Sequence, residues 1–223
     1  MEALISSGRV SINGKKVTAL GTLVEPGDRV ALDGSPVKPR SELHYLLLHK
    51  PRGYVTTIQD DRGRLTVMDL IPEKYRRAGV FPVGRLDRDT SGLLLFTNDG
   101  DLAFRLTKPR FHVKKEYEVG LDRPLEESDL AAIARGVYIH QLEIKTGPAQ
   151  VECIDETRLR VRVIITEGKN RQIRYTFLNL GYKVKSLERT AYGMLSLRRL
   201  KKGAHRALTD SEIRNLKKAA AMK

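Results

Sequence analysis

VGRLDRDTSGLLLFTNDG, residues 83–100, decides how this chain is read. Four charged side chains, Arg85, Asp87, Arg88 and Asp89, crowd together, and the apolar run Leu93–Phe96 follows directly after Gly92. A surface loop does not need that apolar run, and a core strand does not tolerate those charges. The two belong to one junction, a buried strand entered through Gly92 and a charged loop fixed at its mouth. Such a mount suits a catalytic carboxylate, because strand packing holds the loop in place. Guanidinium neighbours favour the ionised form that a nucleophile requires.

Other readings compete for the same residues. Asp87, Asp89, Ser91 and Gly92 match the first half of a calcium loop, D-x-D-x-S-G. The position that needs a bidentate Glu is Asn98, however, and the flanks read as strands. Asp87 as a plain turn cap, neutralised by Arg85 and Arg88, is the default for any Asp in a turn. A two-carboxylate hydrolase using Asp87 and Asp89 is a further reading, and a disfavoured one.

Outward from this junction the pattern is mixed. HYLLLHKPRGYVTT reads as a strand, a Pro-Arg-Gly turn and a second short strand, and VFPVG as another apolar strand. KKEYEVGL and RLRVRVIIT alternate. DLAFRLTK has helical spacing after an Asp cap, and EESDLAAIARG ends in a Gly stop. NRQIRYTFLNLG places Ile173, Phe177 and Leu180 on one face, and LTDSEIRNLKKAA is a capped terminal helix. Many strands with interspersed helices predict an α+β fold with a mixed, largely antiparallel sheet and flanking helices.

Residues 1–34 read as a small unit of their own: a helix end closed by Gly8, a hairpin turning at Asn13-Gly14, and a turn at Pro26-Gly27 leading into a short strand. Residues 35–42, rich in Pro and charge without periodicity, read as a linker, and residues 43–223 as the main domain.

The 223 residues carry a net charge of +14, which points to a polyanionic partner, nucleic acid first. One cysteine excludes an intramolecular disulfide and suits a reducing compartment. The five histidines show no metal-ligand spacing, so no metal site is expected. No apolar stretch approaches the roughly 20 residues that span a bilayer. The N-terminus lacks the basic and apolar regions of a secretory signal, so a soluble cytoplasmic protein with no membrane partner is expected.

PVGRLDRDTSGLLLFTNDGDLAFRLTKP is very similar to the signature of bacterial pseudouridine synthases of the RsuA/RluB type, which act on ribosomal RNA. HKPRGYVTT resembles that family's first strand and turn, KKEYEV its tyrosine motif and EGKNRQIR its third motif. LERTAYG and LTDSEI resemble its C-terminal region, so the likeness runs from about residue 43 to 215. LISSGRVSINGKKVTALGTLVEPGDRVALDG resembles the second half of a small RNA-binding module shared with a ribosomal protein, the S4 module, without its first basic helix.

The resemblance implies an isomerase that turns a uridine of ribosomal RNA into pseudouridine, as a monomer and with no cofactor or metal. It implies Asp87 as the catalytic aspartate and Tyr117 stacked on the target base. Lys169 would pair with Asp87, with Arg174 a rival for that role. Arg85 would fill the space left by a flipped-out base. Arg171 and Arg174 would join Arg85 in binding substrate, and a ribosomal RNA or pre-ribosomal particle would be the partner. EGKNRQIR resembles the large-subunit branch more than the small-subunit branch, though Tyr175-Thr176 and the Thr-Ala of LERTAYG depart from the common pattern. The competing class is a ribosome-assembly factor that binds RNA on the same fold without chemistry.

Overall fold

A computed structural model describes residues 2–25, 27–37 and 42–222 and divides the chain into two compact units, Met1–Glu42 and Leu43–Lys223. Pro26 of the predicted turn and residues 38–41 of the predicted linker lie outside the described residues.

In the first unit, helix α1 (Glu2–Ser6) stops at Gly8, whose φ is +67°. Strands β1 (Val10–Ile12) and β2 (Lys15–Val17) form an antiparallel hairpin. Asn13 and Gly14 both have positive φ, which a tight two-residue turn between right-twisted strands requires. β3 (Val30–Leu32) pairs with the free side of β1, and β4 (Ser35–Pro36) completes the order β2-β1-β3-β4.

The second unit is built on one mixed sheet. Its strands are β5 (Tyr45–Lys50), β6 (Phe81–Pro82), β7 (Ser91–Thr97) and β8 (Lys115–Leu121). A separate small ladder joins β9 (Tyr138–Ile139) to β10 (Ile144–Lys145). The sheet continues with β11 (Gln150–Cys153), β12 (Arg160–Ile165), β13 (Val184–Tyr192), β14 (Leu195–Ser196) and β15 (His205–Ala207). Its order is β11-β12-β8-β13-β7-β5-β15, with β14 on β13 and β6 on β7. The pairing of β13 with β7 is parallel, and its other strand pairs are antiparallel.

Sequence patterning explains which strands sit in the middle. β5 and β7 are buried along their whole length, so they read as unbroken apolar runs. Leu46, Leu48, Leu94 and Phe96 face one core, while Tyr45, Leu47, Leu93 and Leu95 face the other. β8 alternates buried and half-buried residues, as its KEYEVGL pattern predicts. The first core is closed by α4 (Glu127–Arg135) through Ile133 and by α5 (Gln172–Asn179) through Ile173 and Phe177. The second is closed by α3 (Gly100–Thr107) and the terminal α6 (Asp210–Ala219). Asp99 caps α3 by accepting from the Leu102 N–H, and Thr209 with Glu212 forms a reciprocal box at the start of α6.

One expected strand is missing. GYVTT contributes only an isolated bridge between Val55 and Thr66. The Val55 backbone bonds Leu65 and Val67, while Gly53 and the Thr56 side chain are drawn to the neighbouring charged loop. No helix among the described residues is long and apolar enough to cross a membrane.

Candidate active site

The charged loop at 85–90 is fixed from behind by residues the sequence presents as a surface turn. Lys50, the last residue of β5, is wholly buried. Its ammonium donates to three carbonyl oxygens: Thr90 at 2.8 Å, Asp87 at 3.0 Å and Pro51 at 3.1 Å. Thr56 Oγ1 donates to the Leu86 carbonyl at 2.7 Å and accepts from the Leu86 N–H at 3.2 Å. The Gly53 N–H donates to the Arg88 carbonyl at 2.7 Å, and Arg88 Nε returns a bond to the Gly53 carbonyl at 3.2 Å. Segment 50–56 is therefore a splint for the loop that carries Asp87.

Burial pushes the Lys50 ammonium down from its ordinary 10.5 to about 8; Asp87 and Asp89 draw it back up and Arg189 lowers it further. A neutral amine has two N–H groups for three carbonyls, so the splint loosens as pH rises through about 8. Turnover is expected to decline there. Stability is not, because a depressed lysine pKa means the folded state sheds its proton first. The Lys50 contribution to stability therefore rises between about 8 and 10.5. A pH–rate profile beside denaturant midpoints at the same pH values checks this; parallel losses of rate and stability would refute it.

In front of the loop lies a cleft of about 520 Å³. Tyr117 and Lys115 from β8, Leu187 and Arg189 from β13, and Ile165 from β12 line it, with Asp87 at its rim. Tyr117 and Lys115 are both buried and lie two residues apart on one face of their strand. Lys115 Nζ donates to the carbonyls of Val113 at 3.3 Å and Thr166 at 3.4 Å, and burial lowers its pKa to about 8. Arg189 is buried, donates from Nε to the Leu93 carbonyl at 2.8 Å and lies over the Tyr192 ring.

The parallel crossing of β7 and β13 brings these walls together. Gly92 is registered with Arg189, at φ +117°. A Cβ at Gly92 would stand 2.3 Å from the Arg189 carbonyl oxygen and 2.4 Å from its nitrogen. Only glycine allows this approach, and it sets the Asp87 loop beside the strand that carries Arg189.

The expected partner of Asp87 is not the one found. Lys169 lies 3.7 Å from Glu167 on its own loop. Arg171 approaches Asp87 instead, with Nη1 3.5 Å from Asp87 Oδ2 and 3.5 Å from Asp89 Oδ1. The cause is local backbone: Arg171 precedes α5 in the left-handed region at φ +50°, and Glu167, two residues before Lys169, takes the ammonium. Arg171→Ala is thus expected to lower turnover by about 100-fold and Lys169→Ala by no more than severalfold, as judged by kcat/KM. The reverse order would return the pairing role to Lys169.

Arg174, expected on the substrate, is committed to the protein. Its side chain is only 11% exposed, and it bonds Asp89 Oδ2 at 3.0 Å, the Asp89 carbonyl at 3.2 Å and the Val184 carbonyl at 3.3 Å. Its place on the inward side of α5 explains this. Asp87 and Asp89 also converge on one guanidinium, that of Arg171, at the turn formed by residues 87–90. Arg85 is exposed and lines the cleft, with no hydrogen bond or ion pair among the described residues. Lys50 and Arg189 went unmarked in the sequence. A lysine before Pro-Arg-Gly reads as a solvated cation, and only its place at the end of a fully apolar strand hinted at burial.

Residues 44–179 match the family model described as RNA pseudouridylate synthase, and residues 1–30 match the S4 domain. Ribosomal large subunit pseudouridine synthase B of Bacillus subtilis (strain 168) is 39% identical over 223 residues, covering 98% of this chain and 89% of that protein. An uncharacterized RNA pseudouridine synthase of Aquifex aeolicus (strain VF5) is 36% identical over 96% of this chain and 88% of its own length. A crystal structure of a pseudouridylate synthase superposes with a TM-score of 0.75 at 34% identity, covering 96% of this chain and 91% of that one.

Proposed function

The chain belongs to the RNA pseudouridylate synthase family and is an isomerase, and from that premise we propose that it converts a uridine of large-subunit ribosomal RNA to pseudouridine, with Asp87 as the catalytic carboxylate. The observation that carries the assignment is the state of the acidic groups lining the cleft. Glu167 is engaged by the Gly147 N–H at 2.8 Å, by Gln172 Nε2 at 2.6 Å and by Lys169. Among the described residues the Asp87 side chain bonds only Arg171, at the length of a loose ion pair, and it is 28% exposed.

In the reaction the C1′–N1 bond of the uridine breaks, the detached uracil turns, and C1′ bonds to C5. The C5 proton leaves, N1 gains one, and no electrons are exchanged with the surroundings. Asp87 assists at this centre. The flat uracil fits between Tyr117 and the apolar wall of Ile165 and Leu187, with Tyr117 stacked on it. Lys115 and Arg189 lend positive charge to the uracil carbonyls as the glycosidic bond opens.

Arg85 is proposed to occupy the space the uridine leaves in the RNA stack, a role supported by its having no hydrogen bond or ion pair among the described residues. Arg85→Ala is expected to lose much more turnover on folded than on unstructured RNA; equal losses would sink that role. The function itself is tested by tritium release from ribosomal RNA labelled at uracil C5 and prepared from cells lacking the protein. Release by the native chain, and loss of one or more mapped pseudouridines in those cells, are expected. No release from either subunit's RNA would overturn the assignment.

A further inference from the structure

A second cleft, of about 500 Å³, adjoins the first and shares Arg85, Leu86, Asp87 and Arg171 with it as a common wall. We propose that this second cleft binds the sugar–phosphate backbone next to the target nucleotide, with Arg52 and Arg88 as its phosphate ligands; the inference rests on the uridine reading of the first cleft.

Charge is the first argument. Four guanidiniums line the second cleft, those of Arg52, Arg85, Arg88 and Arg171, against the carboxylates of Asp87 and Asp89. Both carboxylates already face Arg171, and Asp89 is also held by Arg174. Arg52 makes no hydrogen bond or ion pair among the described residues. Arg88 spends only Nε on the Gly53 carbonyl. The terminal nitrogens of two exposed guanidiniums thus border one concavity without protein partners. A planar guanidinium fork is suited to the paired oxygens of a phosphodiester.

Rigidity is the second argument. Arg52 and Arg88 sit on different loops, yet the reciprocal bonds between Gly53 and Arg88 lock those loops together. Lys50 ties both to β5 through the carbonyls of Pro51 and Asp87. Holding like charges on tied loops is unfavourable until an anion lies between them. The lining also differs from that of the first cleft: its apolar contribution is Val55 and Leu86, and no aromatic ring faces a base.

Connectivity is the third argument. A uridine with its base against Tyr117 and its C1′ at Asp87 must carry its chain onward past Asp87. The second cleft begins at that residue.

The test pairs protein and RNA substitutions. Arg52→Gln and Arg88→Gln are each expected to weaken RNA binding about tenfold and to reduce the slope of log affinity against log salt by about 0.7 to 0.9. Arg77→Gln, on an exposed helical turn away from both clefts, is the charge-matched control and should change neither. Substrates with one uncharged methylphosphonate, placed in turn on either side of the target uridine, identify the phosphate. At one of these positions its loss and the Arg52 or Arg88 loss should not add. Arg88→Lys, which keeps the charge and not the fork, separates charge from geometry and should recover part of the affinity. Unchanged salt slopes, or full additivity at every phosphate, would overturn the proposal. Absence of tritium release by the native chain would instead overturn the uridine reading, so the two failures are distinguishable.

Discussion

Asp87→Asn is expected to fold normally, to bind ribosomal RNA within a few-fold of the native chain, and to lose turnover by on the order of 10⁴-fold or more. The fold should survive because the loop does not depend on this carboxylate. Its main-chain carbonyl is the group that Lys50 and the Thr90 N–H grip, and both bonds remain. Asp89 stays anchored to Arg174 and keeps Arg171 nearby. Binding should survive because the cationic surface is unchanged. Glu167→Gln is the matched comparison: it removes a negative charge from the same cleft but keeps an oxygen for the Gly147 N–H. It should lose far less. Tritium release, filter binding and thermal melting on the same preparations decide the matter. An Asp87→Asn protein with substantial turnover would remove Asp87 from the chemistry, and one that unfolds would show that the loop depends on the carboxylate.

Gly92→Ala carries the largest expected cost in stability. The added methyl would lie inside the contact distance of three Arg189 backbone atoms, and none is the end of a flexible side chain that can swing aside. The strands would have to part at the crossing that joins the two halves of the site, and the positive φ adds its own strain. A loss of about 3 kcal/mol or more is expected, with turnover lost alongside. Gly63→Ala offers the contrast. Gly63 also has positive φ, +65°, but nothing stands within 4 Å of a Cβ there, so about 1 kcal/mol is expected from backbone strain. Urea midpoints of the two variants measure the difference. Similar midpoints would show that φ, rather than the strand crossing, governs Gly92.

Much of this architecture was legible because its signals are local. Alternation in KEYEVGL, unbroken apolar runs in YLLLHK and SGLLLFT, and the Thr209–Glu212 cap all act over a few residues. The cleft was legible where a charged loop met an apolar strand, since Asp87 and Arg85 both line it. What stayed hidden depends on partners distant in the chain. Lys50 looks solvated until β5 is flanked by β7 and β15 and its ammonium finds the carbonyls of residues 87 and 90. Arg189 sits in an ordinary polar-looking strand until that strand runs parallel to β7. The choice between Lys169 and Arg171 turned on one left-handed residue and one nearby glutamate, which periodicity does not report.

The position of β13 has a consequence for the newborn chain. In the sheet, β7 and β8 meet only through β13, which begins at Val184, well after β8 has ended at Leu121. Until that strand leaves the translating ribosome, Asp87 and Tyr117 belong to separate pieces with no shared ladder between them. Contacts of such long sequence separation form slowly and late. A nascent protein halted before residue 184 therefore lacks the strand that brings the walls of this cleft together. The cleft is completed only when nearly the whole chain has been made.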